Sequence, residues 1–243
     1  MDSPHLENRY AVVTGAAGGI GHAIACHLAA HGATLLLVAR STAQINPIRQ
    51  SPGAMATTHL LDCDLARNDD IRTLCDRVAQ LVPRVDLLVH GAGVISLAPL
   101  ESVSAEALDD HYRINVRAPV LLTQGLLPFI RASQGQIVFI NSSVGVRSKD
   151  HVGAYAASKH ALKAIADTLR MEVNASGVRV LSVFPGNTAT PMQQRIQEIQ
   201  GNRFDPDIML QPNDVASMIV NAILLPRTAE VTDIHIRPMR RSP

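Results

Sequence analysis

Tyr155 and Lys159 stand four residues apart in Gly153–Met171 (GAYAASKHALKAIADTLRM), a stretch rich in alanine and other good helix formers. On a helix, residues i and i+4 share a face one turn apart, so the phenol and the ammonium address the same patch of space. A free phenol, with a pKa of about 10, is a poor base at neutral pH. A nearby cation favours the phenolate and lowers that value. Such a pair could pass a proton to, or take one from, a substrate oxygen. The same spacing also fits an aromatic packed on a core with a solvated lysine one turn away, and this stretch alone does not choose between the two.

A second candidate site lies near the start of the chain. Tyr10–Thr14 (YAVVT) is a short β-rich run that leads into Gly15-Ala-Ala-Gly18-Gly19-Ile20-Gly21. An Ala-rich segment, His22–His31, follows and stops at Gly32, and Thr34–Ala39 (TLLLVA) then reads as a buried strand. Strand, glycine loop, helix and strand in that order open a nucleotide-binding βαβ unit. The glycines let the backbone turn tightly and approach a pyrophosphate at the positive end of the helix. NAD-binding proteins place an acid at the end of the second strand, where it holds the ribose 2′-hydroxyl. Here Arg40 and Ser41 stand there and could bind a 2′-phosphate. NADP(H) is therefore expected over NAD(H). His22, His27 and His31 fall in the same helix without an acidic partner nearby in sequence and read as solvated or partly packed, so no metal is expected.

The remaining elements have to carry these residues to one place. His59–Leu65, Val85–His90, Gln136–Asn141, Val178–Phe184 and Glu230–Arg237 read as further strands, five to add to the two already placed. Helical periodicity marks Asn68–Val82 and Pro212–Leu225, and a long helix from Ser104 to Arg131 is expected to kink at Pro119. Alternating strands and helices at this spacing predict an α/β fold of Rossmann type: a doubly wound, seven-stranded parallel sheet with helices on both faces, in one domain spanning 1–243. Ligands of such sheets bind at the carboxyl ends of the strands. Those ends deliver Gly91-Ala92-Gly93, Ser142-Ser143 and the loop Pro185–Pro191. Asn115 lies on an apolar helix face, where a buried amide needs a partner. The polar, Gln-rich segment at about 191–211 could cover the crevice as a lid or be a surface excursion. Val144, Val146, Met192 and Ile196 could line an apolar pocket.

Composition narrows the partners. A net charge of +1 gives no footprint for nucleic acid or an anionic membrane, and Arg237–Arg241 reads as a solvated tail. No apolar run approaches the roughly 20 residues of a membrane helix. The polar N-terminus lacks a signal-peptide pattern, and three cysteines without paired spacing suit a reducing compartment, so a cytoplasmic location is expected. With 47% hydrophobic residues but no Trp, the core must be built from Ala, Val, Leu and Ile.

Together these residues resemble the short-chain dehydrogenase/reductase family over essentially the whole chain. Thr14-Gly15-x-x-x-Gly19-Ile20-Gly21 matches its cofactor motif, and Asp64-Leu65 resembles the pair that contacts the adenine. Asn115, Ser142, Tyr155 and Lys159 match the catalytic tetrad in order, with Ser142 thirteen residues before the tyrosine. Pro185-Gly186 with Thr188 and Thr190 resembles the loop that holds the nicotinamide and diphosphate. The resemblance implies an NAD(P)-dependent oxidoreductase interconverting a ketone or aldehyde and an alcohol, with Tyr155 as acid/base. Lys159 would lower its pKa and hold the nicotinamide ribose, and Ser142 would bond the carbonyl oxygen. Asn115 would support a water chain to Lys159. It also implies a homodimer or homotetramer built through apolar helix faces. Two departures stand out: His90-Gly91 replaces the usual Asn-Asn after the fourth strand, removing two amides that brace the sheet, and Thr188 replaces a common β-branched aliphatic. The chain stops soon after the last strand, so the extended C-terminal arm of some relatives is expected to be absent. A nucleotide-binding sensor or scaffold, or an epimerase or lyase of the same type, is the alternative.

Overall fold

The computed structural model describes residues 6–51 and 54–240. The extreme N-terminus and Arg241 of the basic tail lie outside them. Seven parallel strands form one sheet: β1 Tyr10–Thr14, β2 Thr34–Ala39, β3 Thr58–Asp62, β4 Leu87–His90, β5 Gln136–Ile140, β6 Arg179–Pro185 and β7 Asp233–Ile236. Their order across the sheet is β3-β2-β1-β4-β5-β6-β7, so the chain reverses direction of growth between β1 and β4. The crevice at such a reversal is where this architecture binds ligands.

The strands read as continuous apolar runs because both faces are covered. Alternate residues feed two separate cores. Ala11, Val13, Leu35, Leu37, Val89 and Val138 pack on one side beneath α1 (Gly19–Ala30) and α7 (Pro212–Ile223). Val12, Leu36, Val38, Leu88, Ile137 and Phe139 pack on the other beneath α2 (Asn68–Leu81), α4 (Ala118–Ala132) and α5 (Gly153–Val173). At roughly 1.5–3 kcal/mol for each fully buried aliphatic side chain, these two layers hold the sheet rigid and its carboxyl edge fixed.

Two local expectations need correction. The third strand ends at Asp62, not Leu65: after Cys63 N–H donates to the Ala39 carbonyl, Asp64 turns the chain by accepting from Ala66 N–H (3.0 Å). The single long helix is instead α3 (Ala105–Tyr112), a π-helical turn at Arg113–Arg117, and α4. Pro119 has no N–H to give the Asn115 carbonyl four residues back, so the ladder widens upstream of the proline rather than bending at it. The polar segment at 191–211 opens with a helix. Thr190 caps α6 (Pro191–Ile199) by accepting from Gln193 N–H at 3.2 Å, and Pro191 stands in the first turn. No residue of α6 is buried. A short antiparallel ribbon, Arg49–Ser51 with Ala54–Met55, was not foreseen.

Candidate active site

At the carboxyl edge of the sheet a crevice of about 660 Å³ runs from the β1 turn to α6. The glycine loop closes one end. Gly15 sits at φ +70°, and a Cβ there would lie 2.8 Å from the Gly91 carbonyl carbon. Gly21 opens the first turn of α1 against the same loop, where a Cβ would fall 2.5 Å from the Gly15 carbonyl oxygen. Only glycine lets these backbones meet so closely. α1 starts without a side-chain cap and without an acid in its first turn, so its N–H groups present a positive, unneutralised end.

The replacement of Asn-Asn by His90-Gly91 leaves the turn braced by other means. Thr14 Oγ1 accepts from Gly91 N–H (3.1 Å) and Ala92 N–H (3.2 Å). A Cβ on residue 91 would lie 2.7 Å from the Thr14 carbonyl oxygen, so glycine lets the two turns stack. His90 is buried, stacked on Phe139 and hydrogen-bonded to Thr123 Oγ1 at 2.9 Å. Burial pushes its pKa down to about 3, which keeps the ring uncharged beneath the site.

The four expected catalytic residues converge. β5 delivers Ser142, and α5 carries Tyr155 and Lys159 on one face. Lys159 Nζ donates to the Ile140 carbonyl at 2.8 Å and lies 5.8 Å from the Tyr155 ring centroid. Asn115, fully buried in the π turn, accepts from Val94 N–H (2.8 Å) and donates to the Val94 carbonyl (3.0 Å) and to Ser158 Oγ (3.0 Å). Asn141, not singled out from sequence, anchors β5 to α5 by donating to the Lys159 carbonyl at 3.1 Å.

The electrostatics differ from the expectation that Lys159 lowers Tyr155. Burial dominates: it pushes the Tyr155 phenol up to about 12, with the Ser142 hydrogen bond pulling the other way. The same burial brings Lys159 down to about 8. In the protein without cofactor the phenol therefore holds its proton at neutral pH.

The expected cofactor residues Gly15, Gly18, Gly19, Ile20, Gly21, Arg40, Asp64, Leu65, Gly91, Ala92, Gly93, Pro185, Gly186, Thr188 and Thr190 all line the crevice. Ser41 does not; Gln44, one short helical turn further on, takes its place there. Of the expected apolar lining, Val144, Met192 and Ile196 are present, whereas Val146 is turned to solvent. Val94, Ile95 and Leu97 complete that wall. They were missed because they lie in a stretch without periodicity, between β4 and α3. Among the described residues no group of three or more His, Cys, Asp or Glu could hold a metal ion, and no helix is long and apolar enough to cross a membrane.

A sheet of this order, with a glycine cradle at one strand end and Ser, Tyr and Lys at another, defines a Rossmann-type oxidoreductase. Residues 9–201 match the short chain dehydrogenase family model, and the chain belongs to that family. It is 32% identical over 216 residues to the uncharacterized oxidoreductase YciK of Escherichia coli (strain K12), covering 86% of this chain and 84% of the relative. It is 35% identical over 190 residues to the NADPH-dependent 3-dehydrocapnine reductase of Ornithobacterium rhinotracheale, covering 75% and 66%. The solved alcohol dehydrogenase of Thermococcus sibiricus, complexed with 5-hydroxy-NADP, superposes with a TM-score of 0.84 at 25% identity over 97% of this chain and 98% of that one.

Proposed function

We propose that this oxidoreductase reduces a ketone or aldehyde to an alcohol with NADPH. The observation that carries this is one crevice lined by the Tyr155 phenol and Ser142 at one end and the Arg40 guanidinium at the other, with burial favouring the protonated phenol. The crevice fits the cofactor: the Gly15–Gly21 cradle and the uncapped start of α1 suit a pyrophosphate. Asp64 and Leu65 would hold the adenine, Lys159 the nicotinamide ribose, and Gly91–Gly93, Pro185, Gly186, Thr188 and Thr190 the remaining edge. When bound, NADPH supplies the hydride that the carbonyl carbon accepts.

The chain's own residues do the rest. Ser142 hydrogen-bonds the carbonyl oxygen and so stabilises the charge that develops there, a role worth about 2.7–4 kcal/mol where it has been measured in other enzymes. Tyr155 gives its proton to that oxygen, completing the alcohol, and the same phenol takes it back when an alcohol is oxidised. Proton transfer of this kind typically contributes ~10²–10⁴-fold. Asn115, through the widened turn that carries it, supports the water route by which the proton is replaced. The wall of Val94, Ile95, Leu97, Val144, Met192 and Ile196 fits a small-to-medium carbonyl compound with an apolar flank.

NADPH over NADH is supported by the exposed Arg40 side chain at the end of β2, where an acid would repel a 2′-phosphate. The nearby Asp62 carboxylate is occupied, accepting from Thr42 N–H at 2.7 Å. Of the similar proteins named above, one is an NADPH-dependent reductase and another was solved in complex with 5-hydroxy-NADP. The test is a paired fluorescence titration with NADPH and NADH, repeated on Arg40→Asp. Tighter NADPH binding that falls about ten- to a hundredfold in the variant, the scale of a lost charged hydrogen bond, supports the proposal. Equal or NADH-favoured binding in the unmodified protein overturns it.

A further inference from the structure

His111 is a buried histidine that none of the steps above uses. It lies on α3 one turn before Asn115, and its two ring nitrogens are both engaged. Ser96 N–H can only donate, so Nε2 accepts from it at 3.0 Å. The ring hydrogen is therefore on Nδ1, which donates to the Ala107 carbonyl at 2.6 Å. The same ring packs against Tyr155, with centroids 6.1 Å apart and planes at 59°.

These contacts tie down one strip of chain. Val94 is held at both its N–H and its carbonyl by Asn115, Ser96 at its N–H by His111, and Ala98 N–H donates to the His151 carbonyl at 2.9 Å. Every second residue is pinned, as an edge strand is by its neighbour. The residues between them, Ile95 and Leu97, line the crevice. The strip belongs to no strand or helix, so these bonds, three of them to the Asn115 and His111 side chains, are what fix it.

We infer that His111 is a positioning residue for catalysis, setting the Val94–Ala98 wall of the substrate pocket and the Tyr155 ring in one fixed relation. This rests on the carbonyl-reductase proposal for the site. Through Nε2 the ring fixes where Ile95 and Leu97 meet the flank of the substrate. Through its face it limits the tilt of the phenol that must reach the substrate oxygen. Substrate geometry, and not cofactor binding, depends on it.

Two variants separate this from a packing role. Asn at 111 reaches only as far as Nδ1 and can keep the bond to Ala107, whereas Gln reaches as far as Nε2 and can still accept from Ser96. Amide-resolved hydrogen exchange on the full chain with saturating NADPH reads the bond directly, without turnover. The Ser96 amide is expected to be protected, to exchange about tenfold faster in His111→Asn, and to stay protected in His111→Gln. With 2,3-hexanedione as the probe carbonyl, KM is expected to rise about tenfold in His111→Asn and to recover in His111→Gln, with NADPH affinity unchanged in both. Fast Ser96 exchange in the unmodified protein overturns the inference, whether or not either variant folds. So do equal effects of Asn and Gln, or a loss of NADPH affinity that parallels the rise in KM. Two controls keep the proposals apart: an unmodified protein that does not reduce the diketone with NADPH overturns the carbonyl-reductase proposal, and a Tyr155→Phe variant that reduces it at the unmodified rate overturns the acid role of Tyr155, while the exchange result continues to report on His111.

Discussion

Lys159 and Tyr155 share a face of α5, yet the ammonium donates to the Ile140 carbonyl at 2.8 Å while standing 5.8 Å from the tyrosine ring centroid. The cation is thus tethered to the end of β5, and burial governs both groups in the protein without cofactor.

That burial has a measurable consequence. Lys159 binds its proton less tightly folded, at about 8, than as an unfolded lysine at about 10.4. Between those values the unfolded chain holds more protons, so stability rises with pH in that window. Tyr155 is shifted the opposite way and holds its proton more tightly when folded, so its contribution falls above pH 10. Thermal unfolding of the cofactor-free protein from pH 8 to 10 is expected to show a rising component that Lys159→Met removes. A profile unchanged by the substitution would contradict it.

Tyr155→Phe removes the only proton donor assigned to the substrate oxygen. Reduction is expected to slow by about 10²–10⁴-fold with NADPH binding kept, since the ring still fills its place. Single-turnover kinetics, with hydride transfer followed by NADPH absorbance, checks it.

Ser142→Ala is expected to lower kcat by about 10²–10³-fold, the effect of losing one donor to a developing oxyanion. A change confined to KM would instead mean that Ser142 binds substrate and transition state alike.

Gly91→Ala places a Cβ 2.7 Å from the Thr14 carbonyl oxygen, against backbone that cannot move aside. A loss of about 1–3 kcal/mol is expected by denaturant titration, the usual cost of overpacking. Because the displaced turn lines the cofactor crevice, NADPH affinity should weaken with it.

Thr14→Val keeps the shape and removes the acceptor for Gly91 and Ala92 N–H. Two inward-facing donors lose their partner, so about 1–3 kcal/mol of destabilisation is expected.

Much of this molecule can be read from its sequence because the relevant signals are local. Strands β1 and β2 have the bounds that their apolar runs suggest, since a strand buried on both faces is written as unbroken hydrophobic sequence. The glycine loop, the Tyr155–Lys159 spacing and Ser142 after β5 are each legible because one element sets their geometry. Thr190-Pro191 carried a readable cap-and-proline signal for α6 that a polar composition obscured.

Tertiary structure alone decided what depends on residues far apart in the chain. The π turn at Asn115 answers to Pro119 and to the Val94 backbone together. Burial by surrounding elements, not the lysine one turn away, sets where Tyr155 titrates. His111 looked like one histidine among ten, because nothing near it in sequence marks Ser96 as its partner across fifteen residues. Periodicity reports which face of an element is buried; it carries no information about which polar group will be waiting there. That pairing is settled only when the sheet has formed and each buried donor must find an acceptor.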